Sequence, residues 1–311
     1  MPLDGILIID KPAGLTSRRV VSRVAELTGE RKAGHAGTLD PLATGVLVTC
    51  LGRATLLSSY LAAGLKRYST GALLGVETDT YDTDGRTVCT GDTSGVTREK
   101  ILEAIEGMTG MVSQVPPAYS AVKHQGKPLY RYARSGEAVQ ARSRTVYIES
   151  IDLAGLEQSE NRLAAHLDIV CGPGTYVRSL VHDLGATLGC GACVESLRRT
   201  ASGAFDIASS ITLEELECSS VGESLISLED ATREMPSAQV GDELATAVSM
   251  GKPIPVGSFE VPEQGATFRV MDEGGTLVAL YGPPRVDDEG IAARAVRVVR
   301  PHPGGTADEA A

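Results

Sequence analysis

Aromatic side chains are scarce in this sequence of 311 residues: Trp is absent, and Phe, Trp and Tyr together make up 4%. The hydrophobic cores must therefore be built mainly from Val, Leu, Ile and Ala. Long apolar runs are missing too, since no stretch approaches the roughly 20 residues that a transmembrane helix needs. The start of the chain lacks the basic stretch and the long apolar run of a signal peptide. We therefore expect a cytoplasmic protein with no membrane contact.

Positive charge is also in deficit, because 29 Lys and Arg stand against 40 Asp and Glu, which gives a net charge of −11. Residues 211–311 contain 7 of the basic and 18 of the acidic residues, so residues 1–210 are neutral. This balance argues against a simple polyanion binder. Basic stretches in the neutral part can still attract a phosphate backbone, because charges more than about 8 Å away are largely screened.

The six cysteines have no secretion signal beside them, so we expect reduced thiols and not a disulfide framework. Cys171, His182, Cys190 and Cys193 include one C-x-x-C pair, which leaves a zinc site open as an alternative. A single C-x-x-C pair is a weak signal for a zinc site.

Apolar patterning predicts mixed helices and strands, followed by a small β-rich region. Spacings of three and four predict helices, whereas alternation and short apolar runs predict strands. The predicted helices cover residues 17–27, 55–63, 97–106 and 176–188. The predicted strands cover residues 6–9, 46–51, 67–74, 144–151, 163–170, 267–270, 277–281 and 293–299. Residues 235–237 are predicted to link the two regions.

Residues 34–45 form the most distinctive segment, because they combine three glycines with one His and one Asp. We predict a loop ahead of an apolar strand, and functional side chains concentrate in such loops. Pro41 confines the residue before it to extended or turn conformations, which fixes the direction of the Asp40 carboxylate. Asp before Pro is also common in turns without a chemical role, so an Asx-turn remains an alternative.

Several groups of residues between positions 5 and 205 resemble the motifs of one enzyme family and follow the family's order. They are residues 5–14, 34–45, 66–68 with 78–85, 117–123 with Tyr130 and Tyr132, and 174–180 with 197–199. In these segments the chain resembles the bacterial tRNA pseudouridine synthases of the TruB type, which make pseudouridine at position 55 in the T loop of tRNA. Several motifs in one order are a stronger signal than any single motif.

The resemblance implies the pseudouridine synthase fold, an α+β fold with a mixed, largely antiparallel central sheet. A small C-terminal PUA-like β module is expected to follow. The implied boundaries are residues 1–235 for the catalytic domain, 236–302 for the module and 303–311 for a flexible tail. An RNA-gripping insertion is expected at about residues 111–145.

The implied activity is an isomerisation of the T-loop uridine at position 55. The uracil N-glycosidic bond breaks, the base turns and a C–C bond forms, so the reaction needs no redox step and no group donor. We therefore expect no cofactor and no metal, and a monomer that binds the T arm of tRNA. The target uridine must first leave its stack, and this unstacking costs roughly a few kcal/mol.

The resemblance also assigns roles to individual residues. Asp40 is implied to be the nucleophile or the base, and the sequence leaves that choice open. Arg178 is implied to pair with this carboxylate and to favour its ionised form. The remaining implied substrate-binding residues surround the flipped base, hold the T loop or support the site, and they are His35, Tyr68, Tyr176, Leu197 and Lys11.

Composition alone supports plainer interpretations of the same residues. Tyr68 on an alternating strand could be a core aromatic, and Arg178 at a helix start could be an exposed surface charge. His35 in a glycine-rich loop could be a hydrogen-bonded structural residue.

Basic residues elsewhere suggest further contact with RNA. Residues 123–144 interleave six of them with Tyr130 and Tyr132, a mixture typical of a surface that follows a nucleic-acid backbone, although a solvated helix face would look alike. The six are Lys123, Lys127, Arg131, Arg134, Arg142 and Arg144. We also predict that Arg294, Arg297 and Arg300 share one C-terminal strand. The alternative function is a tRNA-folding chaperone in which catalysis is secondary.

Overall fold

The structure is a computed structural model, and it describes residues 3–137, 139, 141–160, 162–218, 220–255, 257, 267–283, 285–287 and 290–300. The helices are α1 Ser17–Thr28, α2 Ser58–Leu61, α3 Arg98–Glu106, α4 Leu129–Arg134, α5 Val177–Leu188, α6 Leu213–Cys218, α7 Val221–Ser224, α8 Leu228–Ala231 and α9 Asp242–Ser249. The first ten strands are β1 Gly5–Lys11, β2 Ala33–His35, β3 Thr44–Leu51, β4 Lys66–Leu74, β5 Val76–Thr78, β6 Thr87–Thr90, β7 Gly110–Gln114, β8 Lys123–His124, β9 Lys127–Pro128 and β10 Arg144–Ser159. The others are β11 Arg162–Cys171, β12 Ala192–Ser202, β13 Phe205–Asp206, β14 Ser237–Gln239, β15 Ile254–Pro255, β16 Phe268–Met271, β17 Leu277–Tyr281, β18 Arg285–Asp287, β19 Gly290–Ala293 and β20 Ala295–Val298.

A large mixed sheet forms the centre of the protein. Its strands follow the order β1-β3-β12-β4-β11-β10-β7, with β2 beside β3 and β13 beside β12. The pairing of β3 with β12 is parallel, and the other pairs along this order are antiparallel. The expected α+β fold with a mixed, largely antiparallel central sheet is confirmed.

The helices that flank the site begin and end where their local chemistry requires. The side chain of Thr16 accepts a hydrogen bond from the Arg19 amide and caps α1, which buries Val20 and Val24 and ends at Gly29 with φ 71°. On α5, a Cβ added at Gly185 would lie 2.1 Å from the Ala192 nitrogen, so only glycine permits this close approach of helix and sheet.

Most of the predicted elements are present, and the predicted 163–170 strand pairs with the predicted 144–151 strand in antiparallel register. The prediction of a loop over residues 34–45 was wrong at both ends: residues 44 and 45 belong to β3, and residues 34 and 35 belong to β2. This short strand pairs with β3 through Ala33↔Leu51 and His35↔Thr49, so the free edge of β3 takes up the start of the glycine-rich segment. The helix predicted over 55–63 is a 3₁₀ turn over Gly52–Leu57 that continues into α2.

After the edge strand β7, residues 115–137 leave the sheet, and the chain returns to it in the neighbouring strand β10. Within this excursion β8 and β9 form a small hairpin that leads into α4. Backbone hydrogen bonds from Leu129 to the Val122 carbonyl and from Tyr130 to the Ser120 carbonyl fasten the helix to the preceding turn.

The C-terminal region is β-rich, as expected, with one sheet in the order β14-β16-β17-β20 and another in the order β15-β19-β18. It packs against the first region through a shared apolar cluster that includes Ile6, Leu228 and Leu280. The tail predicted at residues 303–311 lies outside the described residues. Among the residues that are described, no helix combines the length and the apolar character needed to cross a membrane.

The prediction that three C-terminal arginines share one strand was wrong. Arg297 lies in β20, whereas Arg294 precedes this strand and Arg300 follows it. A spacing of three would in any case place successive side chains on opposite faces of a strand. Arg300 donates a hydrogen bond to the Asp272 carboxylate. These side chains therefore do not form a single row for phosphate binding.

Candidate active site

The turn that carries Asp40 is held in place on both sides by hydrogen bonds to distant residues. The Ser17 hydroxyl exchanges hydrogen bonds with the backbone of Leu39, donating to its carbonyl at 3.0 Å and accepting from its amide at 2.8 Å. The Gly14 amide donates to the Pro41 carbonyl at 2.8 Å. The backbone of the turn is thus fixed from the β1–α1 segment, and Asp40 has little freedom to move.

Lys11 lies beneath this turn with no exposed surface. Its ammonium group donates to the carbonyls of Pro12 at 2.8 Å, Leu15 at 2.7 Å and Pro41 at 3.2 Å. Burial lowers the pKa of Lys11 to about 8, while the nearby Asp40 carboxylate acts in the opposite direction. At neutral pH the amine therefore keeps the three protons that its three acceptors need.

Arg199 supports the same turn from the sheet and is 1% exposed. Its Nε donates to the Val46 carbonyl at 2.7 Å, and Nη2 donates to the Gly37 carbonyl at 3.1 Å. A Cβ at Gly45, where φ is 96°, would lie 2.2 Å from the Arg199 carbonyl oxygen. The glycine is therefore required where β3 first meets β12.

Arg178 binds the Asp40 carboxylate directly. Its Nε donates to Asp40 Oδ2 at 2.9 Å, although 138 residues separate the two in the chain. Nη1 donates to the Thr80 carbonyl at 2.8 Å and to Asp82 Oδ2 at 3.2 Å. Nη2 donates to the Tyr119 carbonyl at 3.0 Å. The side chain is 4% exposed, so the alternative interpretation of Arg178 as an exposed surface charge was wrong.

Asp82 is a second carboxylate in this network, and the sequence did not single it out. It is buried, and it accepts hydrogen bonds from Arg178, from the Thr80 hydroxyl and from the Asp84 amide. Burial nevertheless raises the pKa of Asp82, against the effects of the Thr80 and Arg178 donors. Arg178 thus links one carboxylate that reaches solvent with one that does not.

Asp40 opens onto a cavity of about 320 Å³. Its side chain is 31% exposed, in contrast to the buried guanidinium behind it. The cavity brings together residues from the glycine-rich turn, β4, the β11–α5 turn and β12, among them Asp40, Tyr68, Tyr176, Leu197 and Arg199. Its size is at the lower end of the range for small-molecule sites, about 300–1,000 Å³.

Two tyrosines line this cavity, Tyr68 from β4 and Tyr176 from the turn before α5. Burial raises the pKa of Tyr68, so its hydroxyl keeps its proton at neutral pH. The backbone of Tyr176 exchanges two hydrogen bonds with the side-chain amide of Gln114, at 2.8 and 3.0 Å. The guanidinium of Arg144 lies 4.7 Å above the Tyr176 ring. Tyr68 is not only a core aromatic, because it lines the cavity.

His35 and Lys11 are not among the residues that line the cavity. His35 lies on β2, half-buried, and its Nδ1 has no hydrogen-bond partner among the residues that the structure describes. Burial and the charge of Arg199 lower the pKa of His35, so the ring is neutral near pH 7. The structure thus brings five of the seven predicted site residues together: Asp40, Tyr68, Tyr176 and Leu197 line the cavity, and Arg178 binds Asp40. His35 and Lys11 do not line it.

The zinc alternative has no ligand set in the part of the chain that the structure describes, where no three His, Cys, Asp or Glu side chains gather as a metal site. Cys171, Cys190 and Cys193 are buried, and burial raises the pKa of each thiol. The Nδ1 atom of His182 lies instead 3.1 Å from Glu77 Oε1.

Basic and aromatic side chains are interleaved on the excursion between β7 and β10. Lys127 lies 4.2 Å from the Tyr132 ring centroid, and Arg134 lies 5.6 Å from that of Tyr130. Arg144, which we grouped with them, instead lines the cavity and donates to the Gly174 carbonyl.

Sequence reasoning missed Arg199, Gln114 and Asp82 as site residues. Arg199 and Asp82 lie inside segments that carried the family resemblance, and that placement was the available signal. Gln114 had no such signal, because its role depends on the sheet edge that brings β7 beside the β11–α5 turn.

Comparison with protein families gives two adjoining matches. The model of the TruB family pseudouridylate synthase N-terminal domain matches residues 25–177. The model of the tRNA pseudouridylate synthase B C-terminal domain matches residues 178–233.

Similar proteins cover nearly the whole chain. A protein of Syntrophotalea carbinolica named tRNA pseudouridine synthase B is 40% identical over 291 residues, which span 91% of this chain and 94% of the relative. One of the same name from Pseudomonas aeruginosa is 40% identical over 306 residues, with 96% of each chain covered. A solved Cbf5-Nop10-Gar1 complex contains a chain that matches with a TM-score of 0.72 and 27% identity, over 96% of this chain and 85% of that one. Relatives of this identity over this length show that the chain belongs to the TruB family of pseudouridylate synthases, which are isomerases.

Proposed function

We propose that this isomerase converts the uridine at position 55 in the T loop of tRNA to pseudouridine. The observation that carries the proposal is the Asp40 carboxylate, which opens onto a cavity while a buried guanidinium holds it from behind. The curated relatives are named tRNA pseudouridine synthase B, which supports tRNA as the substrate. A solved relative is titled as an RNP bound to a substrate RNA containing 2'-deoxyuridine, in agreement with a uridine-like target.

A flipped base fits the chemistry of the cavity walls. Tyr68 and Tyr176 offer ring surface for stacking, and Leu197 offers an apolar contact. Contacts of this kind offset the cost of taking a base from its stack, because stacking on an aromatic side chain contributes about 1–3 kcal/mol per base. The glycosidic bond of the bound nucleotide would then lie beside the turn that carries Asp40.

Asp40 is proposed as the catalytic residue, acting as nucleophile or as base. Arg178 stabilises its negative charge and fixes its direction, because the guanidinium is itself held by Thr80, Asp82 and Tyr119. In the reaction, the bond from C1′ to N1 of uracil breaks, and the bond from C1′ to C5 forms. C5 then loses its proton and N1 gains one, so atoms balance without an oxidant, a reductant or a group donor. We therefore propose that no cofactor takes part.

The surrounding residues are proposed to bind the T arm. Lys123, Lys127, Arg131 and Arg134 lie on the excursion between β7 and β10 and carry the charge that a phosphate backbone would need. His35 and Lys11 are proposed to support the turn and the RNA around it. We propose that residues 1–235 form the catalytic domain and 236–302 a PUA-like module, and that the enzyme acts in the cytoplasm as a monomer.

The test is to incubate an unmodified tRNA transcript with the protein alone and to map pseudouridine by mass spectrometry. We expect one pseudouridine at position 55 without any added cofactor, and none when cytidine replaces that uridine. Asp40→Asn should abolish product and keep tRNA binding, whereas Asp152→Asn on the exposed face of β10 should leave both intact. Product at another position, or normal turnover by Asp40→Asn, would contradict the proposal.

The same variants separate catalysis from the chaperone alternative. If the chaperone role were the main one, Asp40→Asn would rescue tRNA folding as well as the wild type does, and product would be incidental. Refolding of a misfolded tRNA transcript, followed by native gel electrophoresis with each protein, measures that activity independently of pseudouridine.

A further inference from the structure

The turn at Thr80, Tyr81 and Asp82 provides two hydrogen-bond acceptors for Arg178, and its middle residue has an unusual backbone conformation. Arg178 Nη1 binds the Thr80 carbonyl and the Asp82 carboxylate, and Tyr81 separates these two residues. The backbone of Tyr81 has φ 63°, the left-handed conformation that bulky residues other than glycine adopt rarely. This conformation reverses the chain, so that the groups on either side of Tyr81 both face Arg178.

The ring of Tyr81 is stacked on the ring of His182. Their centroids are 3.9 Å apart and their planes differ by 8°. His182 lies on α5, four residues after Arg178, so both residues are on the same face of the helix, one turn apart. The strained turn is thus fastened to α5 at two neighbouring points, by hydrogen bonds to Arg178 and by the stack on His182.

Other contacts hold the two ends of this stack. The Val194 amide donates to the Tyr81 carbonyl at 2.9 Å, which ties the turn to β12. Nδ1 of His182 lies 3.1 Å from Glu77 Oε1 without forming a hydrogen bond to it. Glu77 belongs to β5, which leads into the turn, so the imidazole lies close to the same segment that its ring stacks on.

We propose that the stacked pair Tyr81 and His182 is a positioning device for catalysis, which keeps the Thr80–Asp82 turn in the conformation that orients Arg178 behind Asp40. This inference deepens the proposed function and rests on it, since it assumes that Asp40 acts on the nucleotide. Neither ring lines the cavity, so both act through Arg178 and neither touches the base.

The strain at Tyr81 provides a sharp test, because two small replacements differ in their tolerance of a positive φ. Tyr81→Ala removes the ring and leaves a side chain for which φ 63° is unfavourable. Tyr81→Gly removes the ring and the strain together. Tyr81→Phe keeps the stack, and His182→Ala removes its other half. Tyr147→Ala, at an exposed tyrosine of β10, is the matched control for loss of a ring.

The measurements are the single-turnover rate of pseudouridine formation with saturating enzyme, the Kd for tRNA and the thermal midpoint. We expect Tyr81→Ala and His182→Ala to lower the rate about three- to tenfold with an unchanged Kd, in line with the energy of an aromatic pair. Tyr81→Gly should be faster than Tyr81→Ala, and Tyr81→Phe should restore most of the rate. The double variant Tyr81→Ala/His182→Ala should be no slower than the slower single variant.

Several results would overturn the proposal. Wild-type rates for Tyr81→Ala and His182→Ala would show that the stack positions nothing, and a weaker Kd with a normal rate would make the ring an RNA contact. A Tyr81→Gly enzyme slower than Tyr81→Ala would remove the argument from strain. If Tyr81→Ala does not fold, the Gly and Phe variants decide by the same rates. Failure of the proposed function would be seen separately, as activity of Asp40→Asn or as product away from position 55.

Discussion

Replacing Arg178 with Lys tests whether the geometry of the guanidinium, and not its charge alone, controls Asp40. Lys keeps the positive charge but has one nitrogen in place of three, so it cannot reach acceptors that lie in different directions. Arg178 makes hydrogen bonds to Asp40, Thr80, Asp82 and Tyr119. A lysine at this position can satisfy about two of them, a limit set by its single nitrogen and its shorter reach.

The size of the effect follows from burial. Arg178 is 3% exposed, so water cannot replace the lost donors without rearrangement. Leaving two buried acceptors unsatisfied costs about 1–3 kcal/mol each, which predicts a loss of about 2–6 kcal/mol in the free energy of unfolding. The rate should fall by about 10²-fold, because a displacement of a catalytic group by about 1 Å costs that much.

The assay is the single-turnover rate of pseudouridine formation at saturating enzyme, with the Kd for tRNA measured by filter binding and the free energy of unfolding measured in urea. Affinity should stay within about threefold of the wild type, a small change because the buried guanidinium makes no long-range contact with the RNA backbone. Arg198→Lys is the control. Arg198 forms a partly exposed ion pair with Asp10, which is not a partner of Arg178. An Arg178→Lys enzyme with the wild-type rate would refute the argument that hydrogen-bond direction matters here.

Three further predictions concern side chains around the cavity. Gln114→Leu breaks both hydrogen bonds to the Tyr176 backbone, so the single-turnover rate should fall about tenfold, and an unchanged rate would deny the amide a positioning role. Lys11→Met leaves three carbonyls without a donor, so urea unfolding should show a loss of about 3 kcal/mol together with loss of product; wild-type stability would contradict this. Burial lowers the pKa of Lys66 to about 8 from 10.5, so the folded state binds fewer protons than the unfolded state between these values. The stability contributed at this site should therefore rise with pH from about 8 upward, by up to about 1.4 kcal/mol per pH unit, and equal slopes in wild type and Lys66→Met would count against it.

The fold could be predicted largely from local signals. The apolar run over residues 6–9, the helical spacing over 17–27 and the alternation over 163–170 each depend on neighbouring residues, and each element appears where the pattern predicts it. The exceptions depend on partners that are distant in the sequence. Residues 34 and 35 join a strand because β3 has an edge to offer, and the glycine-rich composition does not indicate that edge.

The site could be predicted in part, and what was missed has one physical cause. Motif resemblance selected Asp40 and Arg178, which the structure joins at 2.9 Å. Residues that act by supporting others left weaker signals, since a buried Gln or Asp has a visible role only when its acceptor or donor is known. Gln114 meets Tyr176 across 62 residues, and Asp82 meets Arg178 across 96.

The cations around Asp40 divide into two kinds, and this division explains how a glycine-rich turn can hold a carboxylate steady. Lys11 and Arg199 donate to backbone carbonyls on either side of Asp40, including those of Pro41 and Gly37, and therefore fix the shape of the turn. Arg178 alone among the three donates to the Asp40 carboxylate and fixes its direction. Carbonyl oxygens carry only partial charge, so the charge of Lys11 is not cancelled by its acceptors and still acts on the nearby Asp40 carboxylate. Loss of a carbonyl-bound cation should thus disturb structure first, whereas loss of Arg178 should disturb the chemistry of the carboxylate directly.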